Sequence, residues 1–255
     1  MQRLIVPILL ALAVLGIAQL FLFSRIAQPL WYHDFADQRS LLAIADFWNV
    51  VSNVPFLFVG GLGIWQVALE KTRSQLDSNQ RRMYFVFFAA VAFTGVGSVY
   101  YHLSPNNERL LWDRLPIAVT FMALFAIVIE AYLSRRAGTL LFGPLVLLGA
   151  GTVFYWHLTE SWGKGDVRPY LLTQIYPAVA IPLILWFCPA RYTGTATLYC
   201  AMAWYAGAKF CEFLDKQVFS FGQIVSGHTL KHMGAAMSCY LILIWMRERR
   251  ILEIK

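Results

Sequence analysis

Long apolar runs alternate with short polar connections along the whole chain. Eight runs can be marked, at roughly 4–24, 41–69, 83–103, 111–133, 139–157, 170–188, 194–214 and 228–246. Most approach the roughly 20 residues needed to cross a hydrocarbon layer of about 30 Å at 1.5 Å per residue. Backbone amides and carbonyls cannot stay unpaired in lipid, so runs of this length predict helices. The connections collect the residues that break or solvate helices: Arg81-Arg82, Ser104-Pro105-Asn106-Asn107, Arg135-Arg136 and Gly163-Lys164-Gly165-Asp166. The pattern predicts an all-α, polytopic transmembrane bundle, with no soluble domain, low-complexity tract or internal repeat.

The first run follows Met-Gln-Arg and is longer than the h-region of a secretory signal, so a retained helix is expected. That divides the chain into an N-terminal transmembrane helix, 1–30, and a seven-helix membrane domain, 31–255. Eight crossings put both termini on one side. The termini's side carries the larger share of basic residues, among them Arg3, Lys71, Arg73, Arg81, Arg82, Arg135, Arg136, Arg247, Arg249, Arg250 and Lys255. By the positive-inside rule this side faces the cytoplasm.

Composition agrees with a multi-pass membrane protein. Hydrophobic residues make up 59% and charged residues only 14%, against about 25% charged in soluble proteins. The net charge of +7 is spread over the connections, with no basic face or tail, so topology explains it and a nucleic-acid partner does not. Cys188, Cys200, Cys211 and Cys239 form no C-x-x-C pair and read as buried free thiols.

Ionisable residues inside membrane helices are expensive and ask for a reason. Here they gather at the end opposite the termini. The third run closes G-V-G-S-V-Y-Y-H, which puts Ser98 and His102 on one helical face. The fourth opens L-L-W-D-R-L-P, with Asp113 expected in its first turn. The eighth opens G-H-T-L-K-H, and His228 and His232 again share a face. Two imidazoles four residues apart plus a third from a neighbouring helix make a three-histidine metal site with an open position. His33 and His157 lack a partner at this spacing and read as interfacial. Lys209 and Glu212, one turn apart in the seventh run, suit either a structural ion pair or a polar-headgroup contact. Before the second run, Asp34, Asp37 and Asp46 offer hard oxygen ligands, yet they read first as loop charges and a helix-start charge. Asp46, Asn49 and Asn53 are expected to face one way.

Three stretches together resemble the alkaline ceramidase family, within the seven-helix membrane hydrolases that include the adiponectin and progestin receptors. They are D-F-A-D with A-D-F-W-N-V-V-S-N (Asp34 to Asn53), G-V-G-S-V-Y-Y-H with D-R-L-P (Gly95 to Pro116), and G-H-T-L-K-H (Gly227 to His232). The resemblance implies zinc on His102, His228 and His232, with Ser98 and Asp113 completing a catalytic site. It implies calcium near Asp34, Asp37 and Asp46, with Phe35 and Arg39 as backbone carbonyl donors. This segment departs from the eukaryotic pattern, which has a slightly longer interval, Glu in place of Asp46 and Asn near Arg39. The implied activity is zinc-dependent hydrolysis of the N-acyl amide of ceramide or a related lipid. The alternative is a receptor or a lipid-remodelling esterase keeping the same zinc site. Ceramide-like lipid and the bilayer are the expected partners. The resemblance implies a cytosol-facing site, whereas the charge bias puts the site on the other side. A transporter would call for paired broken helices, and none stands out.

Overall fold

A computed structural model describes residues 2–73 and 76–252. The side chains of Arg3, Lys71, Arg73 and Lys255, counted above for orientation, lie outside what is described. The chain forms an all-α bundle. Its helices are α1 (Gln2–Leu22), α2 (Phe47–Val51), α3 (Val54–Arg73), α4 (Ser78–His102), α5 (Asn107–Val128), α6 (Arg135–Ser161), α7 (Arg168–Phe187), α8 (Thr195–Phe213), α9 (Asp215–Ser220) and α10 (Gly227–Glu248). A π-helical turn, Ile129–Leu133, extends α5.

Local chemistry sets the helix starts. Asp77 caps α4 by accepting from the Asn79 and Gln80 amides at 2.8 and 2.9 Å, and Gln80 returns a bond to the Asp77 amide. Asn106 caps α5 by accepting from the Arg109 amide at 2.9 Å. This cap starts α5 at Asn107, before the apolar run begins, so Asp113 sits in the second turn and not in the first. Ser226 caps α10 by accepting from the Thr229 amide at 3.1 Å.

The second run also begins differently from the expectation. Leu42, Ala43 and Asp46 have positive φ, so 41–46 is a tight turn and the helix starts at Phe47. Asp46 therefore leaves the helical face expected for it. Asn49 and Asn53 keep theirs, and both are fully buried.

Helices α4 and α5 form the middle of the bundle. Helix α3 packs on α4, and α6 and α7 pack on α5. Helix α10 sits between α8 and α3, and α1 lies outermost against α7. Three bonds tie α1 and the segment that follows it to α7 and the turn before α7. Tyr176 Oη donates to Leu9 O (3.0 Å), Arg168 Nη1 to Phe23 O (2.5 Å) and Val167 N to Ile26 O (2.8 Å). A large apolar cluster fills the end near the termini. A smaller one, around Phe35, Tyr101, Leu110 and Trp156, supports the other end.

Among the described residues, six helical stretches are long and apolar enough to cross a membrane: Leu4–Leu22, Phe47–Leu69, Ser78–His102, Asn107–Leu133, Arg135–Ser161 and Arg168–Phe187. Eight crossings were expected. The other two long helices, α8 and α10, carry Lys209, Glu212, His228, Lys231 and His232, and these polar side chains lower their hydropathy. The outer surface is strongly apolar, with Phe93, Leu147, Trp186 and Phe213 all well exposed. Such a surface fits lipid, where van der Waals packing and polar satisfaction hold helices together more than the hydrophobic effect does. The four cysteines are free.

Candidate metal centre

One end of the bundle gathers the end of α4, the first turns of α5 and α10, and the loop before α2. His102 closes α4 and His228 and His232 open α10. All three are buried, at 1, 5 and 3% exposure, and one ligand atom from each lies within 4.8 Å of the others. His102 Nε2 and His228 Nε2 are 3.3 Å apart. Among the described residues this is the group of three His, Cys, Asp or Glu side chains close enough to hold a metal ion.

Hydrogen bonding prepares His232 as a ligand. The Ser52 hydroxyl donates to Asn49 O at 3.3 Å, so its oxygen accepts from His232 Nδ1 at 2.8 Å. A proton on Nδ1 leaves the Nε2 lone pair free, and His232 Nε2 is buried without a partner. Such an orphaned acceptor, facing two other imidazoles, fits a borderline-soft divalent cation such as zinc. Residue types and spacing pointed to the triad, but not to Ser52, although Ser52 lies in the quoted A-D-F-W-N-V-V-S-N stretch. Ser52→Ala is expected to weaken metal affinity by about 10–100-fold, measured by competition with a chelator.

Helix packing brings Ser98 and Asp113 to the triad. Gly97 is the close-approach point between α4 and α5. A Cβ there would lie 2.0 Å from Trp112 O and 3.3 Å from the Asp113 amide. The missing side chain lets α5 run against α4 with Asp113 beside the face that carries Ser98 and His102. Both residues are buried, at 2% for Ser98 and 8% for Asp113, and the Ser98 hydroxyl faces the Asp113 carboxyl. Gly97→Ala is expected to push α5 away, costing about 1–3 kcal/mol, read as a lowered Tm in detergent. Gly61→Ala, where nothing lies within 4 Å of the added atom, is the neutral control.

Phe35 has a part that the sequence did not suggest. Its ring packs on His102 and His228 at centroid distances of 4.7 and 4.4 Å and roofs the triad. Its carbonyl accepts from Gln38 Nε2 at 3.1 Å. The acidic loop is held by its own cations. Asp37 makes a two-point pair with Arg39 at 2.8 and 2.6 Å, and its carbonyl accepts from Asn49 Nδ2 at 3.0 Å. Lys216 donates to Asp34 at 2.6 Å, and this bond and charge hold the Asp34 carboxyl below its usual range. Burial, with the like charge of Asp37, pushes the Asp46 carboxyl up. The Arg39 carbonyl accepts from the Phe47 amide. Calcium on Asp34, Phe35, Asp37, Arg39 and Asp46 would have to displace Gln38, the Arg39 guanidinium and Lys216 from these oxygens.

His33 is a structural histidine here. Its Nδ1 meets Tyr101 Oη at 2.8 Å and its Nε2 meets Asn107 Oδ1 at 2.9 Å. His157 is half-buried beside Trp156. Lys209 and Glu212 do pair, and Glu212 also accepts from Lys231 at 3.2 Å, a partner that spacing alone did not reveal.

Comparison with known proteins fits this geometry. A mouse protein named alkaline ceramidase 3 is 22% identical over 233 residues, spanning 84% of this chain and 81% of its own. The family model described as Ceramidase matches residues 39–254, from the acidic loop through α10, and the chain belongs to that family.

Proposed function

We propose that this chain is a multi-pass membrane amidohydrolase that cleaves the N-acyl amide of ceramide or a related lipid, giving a fatty acid and a long-chain amine. The observation that carries the reading is the buried triad of His102, His228 and His232. Family membership supports the choice of bond, and the name of the mouse relative supports the choice of lipid.

The three imidazoles would hold zinc, which when bound supplies a Lewis acid and lowers the pKa of a water toward about 7. Asp113 takes the proton of the attacking water and returns it to the leaving nitrogen, so that water adds across the amide and the C–N bond breaks. Ser98 donates a hydrogen bond to the carbonyl oxygen as negative charge develops there. The Phe35 ring limits bulk water around the imidazoles, which strengthens these contacts. No step is derived through calcium, which would first have to displace Arg39 from Asp37.

The site and the chain termini would lie at opposite membrane faces, with all eight long helices crossing. We assign residues 1–30 as a helix added to a seven-helix domain at 31–255. The start of the family match at residue 39 supports this boundary. Purified protein given an acyl-labelled ceramide should release labelled fatty acid and free sphingoid base, identified by mass spectrometry. Release of fatty acid and lysolipid from an ester substrate, with ceramide untouched, would move the chain to an esterase. Binding without any product would make it a receptor.

A further inference from the structure

Two opposite charges sit beside the triad with no part yet in the reaction. Lys231, on α10 between the two histidine ligands, is 17% exposed, and Glu212, on α8, is 19% exposed. Lys231 Nζ is 3.2 Å from Glu212 Oε1 and 3.2 Å from His228 Nε2. Glu212 Oε2 accepts from Lys209, which is half exposed. Glu212 and His228 line the same cleft, about 440 Å³, whose walls include Trp31, Tyr32 and Phe213. That volume lies within the range of small-molecule sites.

A buried ion pair in a largely apolar helix is weak evidence for stability, because desolvation offsets the attraction. Its position points to a ligand. The ammonium of Lys231 has three protons. One goes to Glu212 and one to the lone pair of His228 Nε2. That lone pair is the one a metal would take, so metal binding frees a donor of Lys231. Glu212 Oε1, with one bond from Lys231, keeps acceptor capacity. The pair thus presents a donor and an acceptor side by side. A phosphate would face Glu212 and a free amine would face Lys231, whereas a hydroxyl can both accept from Lys231 and donate to Glu212.

We propose that Lys231 and Glu212 form a headgroup subsite that holds an uncharged hydroxyl of the lipid close to its scissile amide. The subsite rests on the lipid-amide reading for its role in turnover, but its binding preference can be measured without turnover. Lys231 and Glu212 are positioning and specificity residues, the proton transfers stay with Asp113, and the oxyanion contact stays with Ser98.

The test uses full-length protein in detergent. Binding of a radiolabelled N-acyl sphingoid base is compared with that of its analogue lacking the terminal hydroxyl, in an Asp113→Asn background that blocks turnover. The hydroxylated lipid is expected to bind about tenfold or more tightly, and Lys231→Met or Glu212→Gln should bring the two lipids to within about twofold of each other. In the otherwise wild-type chain, Lys231→Met should bind zinc at least as tightly as the parent, because a competing cation has left the His228 nitrogen. A purely structural role would loosen zinc and weaken both lipids alike. A preference that survives both substitutions overturns the subsite, as does tighter binding of the same base carrying a phosphate at its terminal hydroxyl. If the parent hydrolyses no lipid amide yet the preference is present and lost in the variants, the subsite stands and the hydrolase reading falls.

Discussion

Asp113→Asn is expected to lower kcat by about 10²–10⁴-fold while leaving bound metal at the level of the unmodified chain. The range is that of losing a positioned general acid–base group. Asparagine keeps the shape of the side chain and so the packing of α5 against α4 at Gly97, but it cannot take a proton from water. Metal should remain because Asp113 is not needed among the ligands: the three histidines already supply three nitrogens within 4.8 Å. The informative measurement is kcat beside metal content for the same preparation. Loss of both together would make Asp113 a ligand or a structural residue. Wild-type turnover would remove it from the mechanism. Ser98→Ala should have a smaller effect, about 10²–10³-fold, as expected for one oxyanion donor.

His232→Ala is expected to remove both metal and hydrolysis. His232 is the triad histidine whose Nδ1 meets Ser52, which in turn donates to Asn49 O. Its loss leaves two imidazoles, too few for the three protein ligands usual in a catalytic zinc site. His33→Ala is the control. That ring is also near the site but bonds only Tyr101 and Asn107, so metal content should not change. A His33 variant that loses metal as completely as the His232 variant would mean that folding, and not ligation, is being read.

How far the sequence alone reached depends on the kind of feature. Long apolar runs are set by composition over about 20 residues, and the eight runs correspond to the eight long helices. Their ends depend on single capping side chains. Asn106 moved the start of α5 ahead of its apolar run, and the turn at Leu42–Asp46 shortened the second run. The triad was legible because helical spacing puts His228 and His232 on one face and the alternation of crossings puts His102 at the same side of the membrane. Contacts across helices were less so. Nothing in sequence spacing joins Phe35 to His102, Ser52 to His232 or Lys231 to Glu212. Gly97 was visible inside the quoted motif, but its purpose appears only when α5 is packed against it. In the acidic loop the residue types suit calcium, but spacing did not show that side chains two and four positions away, and Lys216 far along the chain, pair with Asp37 and Asp34.

Whether the three histidines hold a catalytic metal is read by a zinc titration. Protein stripped by chelator and dialysed would be titrated with zinc while ceramide hydrolysis is followed. Activity should start near zero, rise in proportion to zinc, and level off at about one ion per chain. Full hydrolysis by the stripped protein, unchanged by added zinc, would contradict the account.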